Sequence, residues 1–317
     1  MISTKINIKR IICLVIALIF AVGLLSGCGE VRVDSSMNGE VLAKIGNASC
    51  STAEAKMRLL EQRDLYEATD SELLWKRDIN GETMAEYIKS AVKDEMVKYT
   101  ACIVMADKLA IYLSDEETEA AYEKGVEAFN KLSKSHDLSS YGITEDTAKE
   151  LYYKQAVYEM VYDYVSSDVS LDISDADTKV IKVNYVFIPY DDGYDRADEL
   201  RVSVKNGEDF ERTFTDAGYE PKMNQVIRKG DMTENFENVA YLLNDGELSE
   251  VVEDGKNGFY VIQCVEDYMV EESNANYNTI ISDTRKEMFD EAYADFASGQ
   301  KLRFNDDVWN EIDIESL

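Results

Sequence analysis

The chain has 317 residues, a formal net charge of −30 and a hydrophobic fraction of 45%, so it is long enough for two domains and apolar enough to fold. So acidic a chain is a poor partner for nucleic acid, because proteins bind phosphates through Lys and Arg. Its one histidine, His136, excludes a metal-binding helix with two histidines and leaves one candidate for any histidine-based triad.

The first thirty residues have the pattern of an export signal. Basic residues precede an uninterrupted apolar run over 11–25, which is shorter than a comfortable membrane span and typical of a signal-peptide core. The run leads into Leu-Ser-Gly-Cys, which resembles the lipobox of bacterial lipoproteins and implies cleavage before Cys28 and a lipid on its sulfur. We therefore predict a signal peptide over 1–27 and lipidation at Cys28; the alternative is an ordinary N-terminal anchor helix.

The predicted mature chain begins with a polar tether over 28–39. Removal of the signal peptide takes away three positive charges and changes the net charge from −30 to −33. Two acyl chains anchor a protein stably, since each buried methylene contributes about 0.8 kcal/mol. An anionic membrane surface repels so acidic a body, which we expect to stand away from it.

Three further cysteines follow in the mature chain, at Cys50, Cys102 and Cys264. Their spacing does not match a metal site, and their neighbours are apolar. We interpret them as small buried hydrophobic residues, with a Cys50–Cys102 disulfide as the alternative in an exported protein.

Helical periodicity dominates residues 40–175. An extended run over Val41–Asn47 comes first, and Ser51 or Thr52 is a candidate cap for the helix that follows. Apolar residues recur every three or four positions over about 83–113, and Ser114 to Glu117 form a capping box. Further helices are predicted at about 115–132 and 145–166. His136 lies between them in a polar stretch, which predicts an exposed loop histidine.

The helix predicted over 145–166 is rich in tyrosine. Internal packing with the hydroxyls directed to water is one interpretation of these residues, and an aromatic surface that binds unfolded chains is the other. The tyrosines are Tyr152, Tyr153, Tyr158, Tyr162 and Tyr164.

From residue 176 the pattern changes to short alternating strands and short helices. Strands are predicted over 180–189, 224–228 and 258–265, and helices over 194–206, 208–217 and 233–243. The chain becomes helical again from residue 274 to 296. The fold class is therefore α+β, with a compact β-α-β insert between two helical segments.

This insert resembles the parvulin-type peptidyl-prolyl isomerase domain, and the whole chain resembles extracytoplasmic foldase lipoproteins of the PrsA/SurA kind. Val41–Asn47 is similar to the opening strand of that family, and Asn206–Phe210 and Leu243–Ser249 are similar to two of its turns. Met232 and Phe236 match the residues of the family's proline pocket. An i, i+4 helical spacing would place both side chains on one face, although such a pair is also ordinary core.

The chain departs from the family at both histidine positions. The first-strand histidine corresponds to Asn184 or Tyr185, of which we assign Tyr185, and the last-strand histidine corresponds to Tyr260. For the acidic or cysteine residue near the pocket, Asp216 and Glu220 are both candidates. Two interpretations of the tyrosines follow: they orient a polar network as histidines do, or they fill the cleft.

The resemblance implies domains at 40–175 (helical, chaperone-like), 176–270 (parvulin-like) and 271–317 (helical, packing on the first). It implies a membrane-anchored foldase for unfolded or newly exported proteins, without a metal or other cofactor and with weak or lost isomerase activity. The alternatives are an active isomerase with a tyrosine-substituted site, and an acidic adhesin or assembly lipoprotein. No glycine-rich nucleotide loop is present in the sequence, so we expect chaperone action without ATP.

Overall fold

The computed structural model describes residues 32–33, 39–67, 74–167, 173–255 and 257–317. The predicted signal peptide and the predicted lipidation site Cys28 lie outside these residues. The chain divides into two compact units. We call the first the helical unit, which comprises the chain up to Ser166 together with Met288–Leu317, and the second the sheet unit, Ser167–Glu287. This arrangement confirms the predicted α+β class, with a sheet unit inserted into a helical one.

Among its described residues, the N-terminal part of the helical unit contains short strands and four helices, and the last two of these strands lie between the first and second helices. The strands are β1 (Arg32–Val33), β2 (Val41–Ile45), β3 (Ala48–Ser51), β4 (Asp78–Ile79) and β5 (Glu82–Thr83). The helices are α1 (Thr52–Glu67), α2 (Met84–Leu109), α3 (Asp115–Leu132) and α4 (Glu145–Val165). Two residues of the segment predicted as a tether therefore form strand β1.

The sheet unit follows in the chain. Its first elements are α5 (Asp175–Thr178), β6 (Ile181–Pro189), α6 (Tyr194–Lys205), α7 (Phe210–Asp216) and β7 (Lys222–Ile227). They are followed by α8 (Glu234–Ala240), β8 (Val252–Glu253) and β9 (Gly258–Glu266). The long helix α9 (Val270–Ser298) starts in the sheet unit and ends in the helical unit, which is completed by β10 (Leu302–Phe304) and α10 (Asp306–Glu311).

Local capping signals define the helix boundaries. Both Ser114 and Thr83 form capping boxes with the glutamate three residues later, so the predicted start of α3 is confirmed. Helix α2 ends at Leu109, four residues earlier than the sequence pattern suggests. Its next residue, Ala110, is left-handed with φ 54°, and its N–H donates to the Ala106 carbonyl, which ends the helix.

A four-stranded sheet in the order β1-β10-β2-β3 joins the two ends of the chain within the helical unit. Strand β10 pairs antiparallel with β2, and Phe304 lies opposite Ala43. Phe304 is completely buried and packs edge-on against Trp309 at 6.2 Å between ring centres. The sequence pattern does not reveal β10, because three residues are too few to show a period.

The sheet unit has an antiparallel sheet in the order β7-β6-β9-β8, with an apolar core on each face. Alternation along β6 directs odd-numbered residues such as Val183 toward the core that includes α8, and even-numbered residues such as Val186 toward the core that includes α6 and α7. Successive side chains of β9 alternate between the two faces in the same way, so β6 and β9 each contribute residues to both cores.

The described cysteines Cys50, Cys102 and Cys264 are free and buried, which confirms their interpretation as core residues and makes the Cys50–Cys102 disulfide alternative wrong. Burial raises the pKa of the Cys102 thiol to about 12 and that of Cys264 to about 11. In the part of the chain that the structure describes, none of the helices combines the length and apolar character needed to cross a membrane.

Candidate functional site

The two tyrosines at the family's histidine positions lie on one face of the sheet in the sheet unit. Tyr185 on β6 is paired with Ile262, and Tyr260 on β9 is paired with Phe187. Because the strands are antiparallel neighbours, these register positions place the two tyrosine rings next to each other, 6.0 Å apart between centres.

The alternative position, Asn184, faces the opposite side of the sheet. Its side-chain oxygen accepts a hydrogen bond from the Asn224 backbone N–H at 2.8 Å, and its amide donates to Gln263 at 3.0 Å. Asn224 is left-handed, with φ 52°, where β7 departs from regular pairing with β6. The Asn184 side chain therefore accepts a backbone hydrogen bond where the pairing of β7 with β6 is irregular, and it lies on the face of the sheet opposite to the two tyrosines.

Helix α8 covers the tyrosine face with Phe236, which has no solvent-exposed surface. Tyr185 and Tyr260 both pack edge-on against its ring, with centres 5.2 and 5.1 Å away and interplanar angles of 81° and 86°. Such edge-to-face pairs are favourable, by about 0.5–1.5 kcal/mol beyond the area they bury. The side chain expected to line a proline pocket is thus enclosed by Tyr185 and Tyr260.

Met232 reaches the same cluster from outside the helix. Helix α8 begins at Glu234, so the helical spacing expected for Met232 and Phe236 is wrong. The turn that carries Met232 is held by the Glu237 carboxylate, which accepts hydrogen bonds from the N–H groups of Gly230 at 2.8 Å and Met232 at 3.0 Å. Tyr185, Tyr260, Phe236 and Met232 therefore lie in one cluster, but Met232 is positioned by a loop and not by the helix.

Phe187 is a further member of this surface that the sequence analysis did not identify. Its side chain is 37% exposed, and its ring centre lies 5.1 Å from that of Tyr260. Gly258 leaves the space that the Phe187 ring occupies. A β-carbon at position 258 would lie 2.7 Å from that ring and 2.2 Å from the Ile188 carbonyl oxygen. The alternation of β6, in which Phe187 follows Tyr185 by two residues, was the signal that could have found it. We call Phe187, Tyr260, Phe236 and Tyr185 the aromatic row.

The electrostatics of the row favour a neutral Tyr260. Burial raises the pKa of Tyr260, and the negative charge of Asp254 and the neighbouring Tyr185 raise it further. The phenol therefore stays protonated at neutral pH, so it can donate a hydrogen bond but does not act as a base. Neither the Tyr185 nor the Tyr260 hydroxyl bonds to any residue that the structure describes.

The candidates for an acidic residue near the pocket lie elsewhere. Asp216 ends α7, where its exposed carboxylate pairs with Arg212 at 3.4 Å. Glu220 is almost fully exposed and lies 3.6 Å from Lys222. Neither belongs to the apolar cluster around Phe236.

The prediction of an exposed loop histidine at His136 is wrong. Its Nε2 lies 2.7 Å from the Asp64 carboxylate, and its side chain is only 14% exposed. The pair joins the loop after α3 to α1, a structural role. Among the described residues, no group of three or more His, Cys, Asp or Glu side chains has a geometry that could hold a metal ion.

The tyrosines of α4 pack mainly inside the helical unit, as the first interpretation expected. Tyr158 contacts the rings of Tyr99 and Phe289 at 5.3 and 5.2 Å, and Tyr162 also contacts Phe289. Tyr152 donates its hydroxyl to Glu61 at 2.8 Å. Only Tyr164 is more than half exposed among the tyrosines described on this helix.

Comparisons with known proteins agree on one kind of relative, although no protein-family model matches the chain. A foldase protein PrsA of Caldanaerobacter subterraneus subsp. tengcongensis is 21% identical over 311 residues, which cover 93% of this chain and 96% of that protein. A foldase protein PrsA of Staphylococcus aureus (strain Newman) is 22% identical over 299 residues, covering 86% of this chain and 85% of that protein.

Solved structures of PrsA proteins are also matched, at low superposition scores. PrsA from Bacillus cereus has 20% identity and a TM-score of 0.32, covering 68% of this chain and 81% of that one. PrsA from Bacillus subtilis has 18% identity and a TM-score of 0.25, covering 77% and 94%. The sequence similarity extends over nearly the full length of the chain, which confirms its resemblance to the PrsA-type parvulin foldases.

Proposed function

We propose that this protein is a lipid-anchored extracytoplasmic foldase that holds unfolded or newly exported chains, with weak or lost peptidyl-prolyl isomerase activity. The observation that carries the proposal is the similarity to a PrsA foldase along 93% of the chain. That length includes the helical unit as well as the sheet unit, so the resemblance supports a chaperone role and not only an isomerase-like sheet.

The proposed location follows from the sequence. The basic start, the apolar run over 11–25 and the lipobox-like ending at Cys28 are the parts of a lipoprotein signal. A diacylated Cys28 would anchor the chain to the outer face of the cell membrane, where exported proteins emerge unfolded.

The aromatic row supports weak or absent isomerase activity. Rotation about a prolyl bond has a barrier of about 18–20 kcal/mol from amide resonance, and a site lowers it by desolvating the bond and stabilising its twisted form. This requires an apolar surface that a proline ring can occupy. Here the rings of Tyr185 and Tyr260 already occupy the sides of Phe236.

An active isomerase is the second candidate, and one observation favours it. Tyr185 and Tyr260 remain partly exposed, and their hydroxyls make no hydrogen bond to a described residue. Two phenol hydroxyls next to an apolar ring are suitable donors to the carbonyl of a bound prolyl bond.

Suppression of aggregation tests the foldase proposal. Several chemically unfolded clients are diluted into buffer without ATP, with and without the purified protein, and light scattering is followed. We expect the protein to lower scattering for clients of unrelated sequence, whereas an unrelated acidic protein of similar charge does not. Failure with every client contradicts the proposal, and selective binding of one defined partner would indicate an adhesin or assembly subunit.

A further inference from the structure

A groove of about 430 Å³ lies within the helical unit, between α3 and α4, separate from the aromatic row. This volume is in the range of about 300–1,000 Å³ that ligand sites usually have. Apolar and small side chains form much of its surface, among them Leu113, Ala120, Ala156 and Met160. None of the residues that line it belongs to the site described above.

The packing of the two helices explains where the groove lies. At Gly125 the helices approach so closely that a β-carbon would lie 2.6 Å from the Ala148 carbonyl oxygen. From that contact toward the start of α3, the facing positions carry alanine, at Ala121 and Ala156, and their short side chains leave space between the helices.

The rim of the groove is acidic. It carries the carboxylates of Glu117, Glu159 and Asp163, and Lys124 is the only basic residue in its lining. Hydrogen bonds from the backbone and side chain of Ser114 lower the pKa of Glu117, which is therefore ionised at neutral pH. Glu159 accepts a hydrogen bond from the Gln155 amide at 2.9 Å and is exposed on the rim.

We propose that this groove binds cationic, apolar polypeptide segments, in which Lys or Arg residues flank an aliphatic side chain. The aliphatic side chain would occupy the space between α3 and α4, and the basic groups would lie at the acidic rim. The charge complementarity selects this occupant, because acidic segments are repelled both by the rim and by a chain of net charge −30. The inference rests on the proposed foldase function and names the class of client segment that this groove takes.

Peptide binding to the full chain tests the proposal. Two fluorescent peptides of equal length and equal leucine content are compared by anisotropy, one with lysine and one with glutamate at every polar position. We expect the lysine peptide to bind at least about tenfold more tightly, a difference of about 1.4 kcal/mol. We also expect its affinity to fall as salt rises, because the rim charges are exposed to solvent. Equal affinities for the two peptides would overturn the proposal.

Matched variants locate the site. Glu159→Gln with Asp163→Asn removes two charges from the rim, whereas Glu127→Gln with Glu150→Gln removes two exposed charges from α3 and α4 outside the groove. The rim pair should weaken lysine-peptide binding about tenfold, again about 1.4 kcal/mol, while the control pair changes it less than about twofold. Equal weakening by both pairs would show that overall charge, and not the groove, binds the peptide.

A steric variant tests the apolar part. Ala120 lines the groove and is exposed, so Ala120→Trp can place an indole in the space without disturbing the core. Binding of the lysine peptide should be lost while circular dichroism is unchanged; retained binding would contradict the proposal. If aggregation is suppressed but the peptide does not bind, this inference alone is wrong, whereas failure in the aggregation assay contradicts the foldase function itself.

Discussion

The Phe236 side chain carries the apolar surface that the proposed isomerase site would offer to a prolyl ring. A prolyl ring can be desolvated only against apolar surface that is accessible, and Phe236 is completely buried. Tyr185 and Tyr260 bury it from two sides, each with an edge-on ring. Relative to the histidines that the resemblance implies at these positions, the larger tyrosine rings therefore change both the chemistry and the space beside Phe236.

Restoring the histidines should restore activity if the tyrosines close the site. In the double variant Tyr185→His with Tyr260→His, the smaller imidazoles uncover part of the Phe236 ring. We expect cis–trans exchange of a proline peptide, measured by NMR exchange spectroscopy, to be at least about tenfold faster than with the wild type, or about 1.4 kcal/mol in the barrier.

The control for this experiment is Tyr185→Phe with Tyr260→Phe, which keeps both rings and removes both hydroxyls. It should be as slow as the wild type if the rings block the site. A wild type that is equal to or faster than the histidine variant, and a phenylalanine variant that is slower still, would show instead that the phenol hydroxyls serve an active isomerase.

The packing of α3 on α4 depends on one helical glycine. Gly125 is an unfavourable residue for the middle of a helix, by up to about 1 kcal/mol relative to alanine. Glycine is required at position 125 for a steric reason, because the α4 backbone at Ala148 and Lys149 occupies the space that a β-carbon would need. Backbone atoms cannot move aside as a flexible side chain can, so the contact is intolerant of any larger residue.

Gly125→Ala should therefore destabilise the protein although it raises helix propensity. Because the clash is with backbone atoms, we take the upper part of the overpacking range of about 1–3 kcal/mol, and after the propensity gain we expect a net loss of up to about 2 kcal/mol in the free energy of unfolding. Urea denaturation followed by circular dichroism measures it. Asn130→Ala, at an exposed position of the same helix, is the control and should be neutral or slightly stabilising; stabilisation by Gly125→Ala would refute the steric argument.

At the scale of the whole molecule, the helical unit needs both ends of the chain and the sheet unit does not. Phe304 and Phe289 from the C-terminal segment lie in the buried clusters of the helical unit. The two apolar cores of the sheet unit consist only of residues from its own part of the chain. The packed core of the helical unit therefore depends on the segment Met288–Leu317.

Truncation separates these two behaviours. Removal of residues 288–317 takes away two buried phenylalanines, and each such loss costs about 3–5 kcal/mol against a typical total stability of about 5–15 kcal/mol. We expect the helical unit to unfold, while a fragment spanning 173–287 keeps dispersed amide signals in a ¹⁵N correlation spectrum. A collapsed spectrum for that fragment would contradict the independence of the sheet unit.

Local signals in the sequence determined the elements of this protein. Capping boxes at Thr83 and Ser114, helical periodicity along α2 and alternation along β6 and β9 each involve residues close in the chain, so their physical effect is visible without the fold. The motifs likewise indicated the kind of protein and the aromatic substitutions at Tyr185 and Tyr260.

Only the tertiary structure decided how these elements close on one another. The pairing of β10 with β2 joins residues far apart in the chain, and three residues carry no period that predicts it. The burial of Phe236 and the groove beside Gly125 likewise depend on contacts between separate elements. Composition excluded a metal-binding helix with two histidines from the start. Whether the tyrosines leave space for a substrate depends on packing, which is set by the whole fold.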